Sequence, residues 1–138
     1  MIILDTNVLA ELMRPAPSPL VIAWIERWSA AELFTTSITA AEIFYGLELL
    51  AKGKRRDSLL AAAEALFAED FADRIFSFDS DAARLFAKIA ARRRALGRPI
   101  SHADAQIAGI ALARGARLAT RNVADFADCD IDVVNPWK

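Results

Sequence analysis

Asp5 ends the apolar run Ile2-Ile3-Leu4 and is followed at once by Thr6 and Asn7. Glu42 stands three residues after Thr39, and Asp104 three residues after Ser101. Thr120, Asn122 and Asp125 follow the short apolar pair Leu118-Ala119. Against these recurring oxygen donors the whole chain has one histidine, His102, and one cysteine, Cys129. Carboxylates brought together repel one another and need a counter-charge. Hard oxygen donors without imidazole or thiolate suit Mg²⁺ or Mn²⁺ and not zinc. A divalent ion held this way activates water and neutralises charge on a phosphate, which is the chemistry of phosphodiester hydrolysis. A second histidine and a nucleophile elbow are both missing, so a serine-hydrolase triad is disfavoured.

Each acid also has a plain structural reading. Thr39-Ala40-Ala41-Glu42 has the spacing of a helix capping box, and Ser101 to Asp104 is similar. Acids in a first helical turn stabilise any helix. Asp5 is harder to dismiss, because an acid at the end of a buried strand has less structural excuse. His102 reads as a surface or supporting residue and not as a general base.

The elements that would position these groups follow from periodicity. Ile2 to Leu4 is a short apolar run and predicts a buried strand. Thr6 or Asn7 is expected to cap a helix over 8–13. Pro15, Pro17 and Pro19 make a stiff connector. A helix over 20–28 carries Val21, Trp24, Ile25 and Trp28 on one face. A strand over 33–37 leads into a helix from Thr39 to about Ala51. Lys52 to Arg56 reads as a basic turn, and a second helix over 57–68 closes a helical hairpin. A weaker strand lies at 74–78. A helix over 81–96 ends at Gly97 with Arg92, Arg93 and Arg94 in its last turns, where cations suit the helix dipole. A helix capped by Ser101 runs to Gly115, a strand follows at 117–120, then a polar turn over 121–126 and a last strand at 131–134. Strands alternating with helices predict an α/β fold, a central parallel sheet flanked by helices on both faces. In such sheets ligands bind outside the carboxyl ends of the strands, where Asp5 would lie.

At 138 residues one domain spanning 1–138 is expected. Composition is 55% hydrophobic and 25% charged, which is that of a globular chain. A net charge of −1 argues against binding nucleic acid by overall charge, but not against local basic patches. No glycine-rich phosphate loop is present, which disfavours dinucleotide and P-loop enzymes. No apolar stretch approaches the length of a membrane span, about 20 residues. One cysteine and no signal-like leader fit a cytoplasmic protein.

In order along the chain, Ile3-Leu4-Asp5-Thr6-Asn7-Val8, Thr39-Ala40-Ala41-Glu42-Ile43-Phe44-Tyr45-Gly46, Gly97-Arg98-Pro99-Ile100, Asp104-Ala105-Gln106-Ile107-Ala108 and Leu118-Ala119-Thr120-Arg121-Asn122 with Asp125-Phe126 resemble the motifs of PIN-domain proteins. The likeness is to VapC-type ribonuclease toxins of the FitB-like branch and spans nearly the whole chain. It implies a PIN-like parallel-sheet fold and a Mg²⁺- or Mn²⁺-dependent endoribonuclease. By position it makes Asp5, Glu42 and Asp104 the acidic metal-site residues. A fourth acid in this family falls near residues 120–125. Asn122 occupies the place where many relatives carry an acid, and Asp125 lies one short turn on, so either is a candidate. Thr6 and Thr120 would orient the acids. Arg94, Arg98 and Arg121 are the candidate RNA contacts around the acidic centre. The resemblance also implies a cognate antitoxin, a homodimer and a toxin–antitoxin heterocomplex. The hairpin between Thr39 and Phe71 is a plausible groove for the antitoxin's tail, with Trp24, Trp28, Phe44 and Phe67 as candidates for antitoxin or dimer contact if exposed, core packing being the favoured reading for each taken alone. Two other readings compete: a PIN nuclease of RNA processing or DNA-directed function, and a non-catalytic binding module whose acids are helix starts only.

Overall fold

A computed structural model describes residues 1–138. Five strands alternate with six helices. They are β1 (Ile2–Leu4), α1 (Thr6–Leu12), α2 (Pro19–Ile25), β2 (Leu33–Thr36), α3 (Ser37–Glu48), α4 (Lys54–Ala65), β3 (Ile75–Phe76), α5 (Ser80–Ala95), α6 (His102–Arg114), β4 (Arg117–Ala119) and β5 (Val133–Val134). The strands form one sheet in the order β3-β2-β1-β4-β5, and every pairing is parallel. The α/β class and the covered parallel sheet expected from the sequence are both present.

Successive residues of a strand face opposite sides of the sheet, and the core divides accordingly. Ile2 and Leu4 enter an apolar cluster with Val8, Leu9, Val21, Trp24, Ile43, Leu47 and Phe67, from α1 to α4 and the π-helical turn after α4. Ile3, one residue out of step, enters a second cluster with Ala82, Ile89, Ile107, Ile110 and Leu118, against α5 and α6. Three strand residues thus seal both faces, which is why the run carries no polar alternation.

The chain moves outward from β1 to β2 to β3, then returns through α5 and α6 to β4 on the other side of β1. Crossovers leave in opposite directions at the β1/β4 boundary, so a crevice opens beyond their carboxyl ends. Asp5 and Thr120 are the residues immediately past those two ends. The backbone N–H of Asp5 still bonds the Ala119 carbonyl at 2.9 Å, so the acid is tied to the sheet itself.

Several boundaries differ from expectation. α3 begins at Ser37, two residues early, because Thr36 is its cap and accepts the Thr39 N–H at 3.1 Å. α4 begins at Lys54, so Lys54, Arg55 and Arg56 are helical and not a turn. Three cations at a helix start oppose its dipole. Gly53, at a φ of 157°, makes the sharp entry that lets the hairpin close so tightly. α2 ends at Ile25, three residues early. Trp24 and Phe67 are buried and Trp28 and Phe44 half-buried, so the core reading of these four holds over that of exposed contacts, and they pair Trp24 on Trp28 and Phe44 on Phe67.

Candidate functional site

Asp5 is 4% exposed, and its carboxylate is spoken for on both oxygens. Oδ1 accepts the Thr6 N–H at 2.8 Å, so Asp5 is itself the cap of α1, in place of the expected Thr6 or Asn7. Oδ2 accepts the Thr120 hydroxyl at 2.7 Å, a bond across the β1/β4 boundary. Burial is the main force on its proton: it pushes the carboxyl up to about 6, against the two hydrogen bonds and with the help of the Asp104 and Glu42 charges. An acid that caps a helix on the surface would not be held this way.

Asn7 completes the mount. Its Nδ2 lies 3.1 Å from the Thr120 hydroxyl and 3.5 Å from Asp5 Oδ2, and its Oδ1 accepts the Arg121 N–H at 3.2 Å. One amide therefore joins the start of α1 to the chain leaving β4. The sequence offered Asn7 only as a helix cap. The signal that could have found it is the tight Asp-Thr-Asn spacing, which turns the third residue back over the first within one helical turn.

Glu42 is not a capping acid. With α3 starting at Ser37, it lies in the second turn, beyond reach of the cap position. Its Oε1 instead accepts the Thr6 hydroxyl at 2.7 Å, a contact between α1 and α3. Thr39 Oγ1, fully buried, lies 3.2 Å from Thr6 Oγ1. Thr6 thus orients Glu42 while its N–H holds Asp5.

Asp104 sits in the first turn of α6, whose cap, Ser101, accepts the Asp104 N–H at 3.2 Å. The carboxyl is half-buried and raised by burial first, with Ser101 opposing and the negative charges of Asp125 and Glu42 adding to the rise. The charges of Asp104 and Glu42 act on Asp5, and that of Glu42 acts also on Asp104, so the three acids share one electrostatic environment. Thr120 is buried, donates to Asp5 and also accepts the Asn122 N–H at 3.1 Å. Asn122 and Asp125 are exposed, the latter in a short 3₁₀ turn over Val123–Phe126.

No three acidic, histidine or cysteine side chains are gathered tightly enough to enclose an ion by themselves. Mg²⁺ does not need such a cage, since it keeps several waters and is commonly bound through one or two carboxylates with substrate phosphate. All the donors are oxygens, which suits that ion, and Asp5 and Asp104 are the carboxylates that would hold it.

Among the cations, Arg121 stacks over the Trp137 ring at 5.0 Å, and Arg98 pairs with Asp128. Arg94 is exposed at the end of α5. Arg93 is buried and bonds main-chain carbonyls. His102 lies edge-on to Phe86 at 5.7 Å and is exposed, in line with its reading as a surface residue. Beside the acids runs an apolar groove of about 590 Å³ between α1 and the α3–α4 hairpin, reaching from Thr6 and Glu42 past Met13 and Leu47 to Arg55 and Leu59.

Comparison with known proteins places these features. The PIN domain model matches residues 2–131. "VapC ribonuclease Y4jK" of Sinorhizobium fredii is 38% identical over 138 residues, covering 100% of this chain and 99% of the relative. "Toxin FitB" of Neisseria gonorrhoeae is 36% identical over 137 residues, covering 99% of each. Among solved structures, that of FitAB bound to an IR36 DNA fragment superposes with a TM-score of 0.92 at 36% identity, over 100% of this chain and 96% of that one.

Proposed function

From a chain that belongs to the PIN-domain family, we propose a divalent-metal-dependent endoribonuclease that serves as the toxin of a toxin–antitoxin pair. The observation that carries the reading is Asp5: a buried carboxyl, hydrogen-bonded on both oxygens, its proton held up to about 6 in the field of Asp104 and Glu42. A binding module whose acids merely start helices would not mount Asp5 across two strands or turn Glu42 toward Thr6.

Asp5 and Asp104, with Glu42 beside them, would hold Mg²⁺ or Mn²⁺. The ion would supply an activated water and neutralise charge on the scissile phosphate. The chain's own part is positioning. Thr120 and the Thr6 N–H fix both oxygens of Asp5, and the Thr6 hydroxyl fixes Glu42. Thr120 donates to Asp5, which favours its charged form and so readies it for a cation. Arg94 and Arg121 stand exposed, and Arg98 is half-engaged by Asp128; these would take the RNA backbone on either side. The relatives named VapC ribonuclease and toxin FitB support this activity and role. A small antitoxin would bind the chain, in a heterocomplex with its dimer, and cover the groove beside Glu42. No helix is long and apolar enough to cross a membrane.

The test is RNA cleavage by purified, antitoxin-free protein with Mg²⁺ or Mn²⁺. Wild type is expected to cut and Asp5→Asn to lose activity by about 10³-fold or more, the scale at which a principal charge-stabilising group is removed. Expression of Asp5→Asn should also no longer arrest growth. Cleavage that survives chelation, or is equal in Asp5→Asn, sinks the reading.

A further inference from the structure

Of the arginines around the site, several are already engaged. Arg14 pairs with Glu11, Arg98 pairs with Asp128, and Arg93 is buried against main-chain carbonyls. Arg121 is exposed and takes part in no ion pair. A free guanidinium on a long stem samples many rotamers, and ordering it when a ligand binds costs free energy. Arg121 is ordered beforehand. Its Cζ lies over the Trp137 ring, 5.0 Å from the centroid, where the negative face of the indole attracts a cation. Arg94, also exposed and unpaired, has no such ring beneath it.

Both partners of the stack are tied to the sheet. The Arg121 N–H bonds Asn7 Oδ1 at 3.2 Å, and the residue before it, Thr120, donates its hydroxyl to Asp5. On the neighbouring strand Val134 is in register with Ala119, and its carbonyl accepts the Thr120 N–H at 2.9 Å. The chain then turns. The Trp137 N–H bonds Asn135 Oδ1 at 2.9 Å, Pro136 is buried, and Trp137 is half-buried against the apolar cluster that holds Ile2 and Leu4. Proline fixes φ, so this turn sets the indole at one place past β5. β5 lies two strands from β1, on the order of 10 Å at ordinary strand spacing, so the stack stands to one side of Asp5. Trp137 lies outside residues 2–131, which match the PIN domain model, and belongs to none of the motifs read in the sequence.

Resting on the nuclease reading above, we propose that Trp137 is a positioning residue for Arg121, and that the stacked pair grips an RNA phosphate beside the one that is cut. The exposed guanidinium keeps its N–H donors open, and a planar fork held flat matches two phosphate oxygens, as a lysine ammonium would not. A side chain that only shielded the indole from water would need its methylene stem and no charge. The two roles differ in the salt dependence of RNA binding, because each phosphate contact releases condensed counterions.

The experiment is fluorescence anisotropy of a labelled short single-stranded RNA with the purified full-length chain, in chelator and over a series of salt concentrations, beside thermal melting. The variants are Arg121→Met, Arg121→Lys, Trp137→Leu and Trp137→Phe. Arg121→Met keeps an apolar cover on the indole, so it is expected to melt like wild type. It should bind RNA about tenfold more weakly, the loss of one charge-assisted contact, and flatten the slope of log K against log salt by about 0.7. Arg121→Lys should keep the slope without recovering the affinity. Trp137→Leu should lose affinity and slope in the same direction as Arg121→Met, and Trp137→Phe, which keeps a π face, should recover both. A wild-type slope in Arg121→Met overturns the proposal, as does a wild type that binds no RNA. Full affinity in Arg121→Lys also overturns it, and so does a Trp137→Leu variant that melts lower yet keeps the wild-type slope. The two Arg121 variants decide the matter if Trp137→Leu does not fold. Absence of RNA cleavage with Mg²⁺ or Mn²⁺ would count against the nuclease reading alone, since binding in chelator needs neither metal nor turnover.

Discussion

Asp5 holds two opposing demands. Its place in the sheet buries it, and burial penalises the charge that the proposed metal site would need. The sign of the resulting pH dependence follows directly. The unfolded carboxyl loses its proton near 4 and the folded one near 6, so between these values the native state binds the extra proton. Stability of the metal-free protein is then expected to fall as pH rises from about 4 to about 6 and to level off above, by an amount on the order of 2 kcal/mol. Asp5→Asn removes that charge while keeping a good helix cap. It should melt several degrees higher than wild type at pH 7.5 without divalent ions, at about 2–8 °C per kcal/mol. Added Mg²⁺ should narrow the gap by stabilising wild type only. A variant that melts at or below wild type at pH 7.5, or a wild type whose stability climbs from pH 4 to 6, would show that Asp5 is not the strained group. The acid itself was legible in the sequence, since a carboxylate ending a buried run is hard to explain otherwise. Its mount was not. Asn7 and Thr39 are ordinary residues whose roles depend on contacts between distant segments, and no spacing along the chain encodes the meeting of Asn7 with Thr120.

Elements set those meetings, and small offsets decide what an acid does. Thr36 and Thr39 are both competent caps, three residues apart. Thr36 is the cap because it is the last residue of β2, where the backbone is still extended and its hydroxyl can accept the Thr39 N–H. That choice moves Glu42 out of the first turn and frees its carboxylate for Thr6, which the local capping-box pattern could not reveal. The strands and their order of alternation were legible because Ile2 to Leu4, Leu33-Phe34 and Leu118-Ala119 are short apolar runs between helical periods. The start of α4 was not, because its basic residues run against the dipole preference and only the hairpin geometry holds them helical. The pairing of α5 with α6 carries the sharpest packing constraint. A Cβ on Gly109 would stand 2.7 Å from the Ala82 carbonyl oxygen and 3.0 Å from the Phe86 nitrogen, both backbone atoms that cannot swing away. Gly109→Ala gains helix propensity of about 1 kcal/mol, yet overpacking of this kind costs about 1–3 kcal/mol. Net destabilisation is expected in urea unfolding, with weaker RNA cleavage, because the shift moves α6, which carries Asp104 in its first turn. A variant as stable as wild type would mean that the two helices are not in backbone contact.

At the scale of the whole molecule, a net charge of −1 leaves RNA attraction to local cations, and leaves partner binding to shape. The groove beside Glu42 is open, apolar along Ala10, Met13, Ile43, Leu47 and Leu59, and flanked by Arg14 and Arg55. A segment that lies there would cover Thr6 and Glu42 together, which is how one partner could silence the site while gripping apolar surface. Gly46 forms part of the groove wall on α3, and a Cβ placed on it meets nothing within 4 Å. That separates folding from binding at one position. Gly46→Leu adds a strong helix former where nothing obstructs it, worth about 0.8 kcal/mol relative to glycine, so its melting temperature should equal or exceed that of wild type. The added side chain fills the groove, so affinity for the antitoxin, measured by calorimetry on purified components, should fall about tenfold or more, the loss of a single well-placed contact of about 1.4 kcal/mol. Lys54→Glu, on the exposed start of the same hairpin and outside the groove lining, should leave that affinity unaltered. Equal binding by Gly46→Leu and wild type would place the partner elsewhere on the molecule, and the inhibition of the acids would then have to come from a surface that does not touch Glu42.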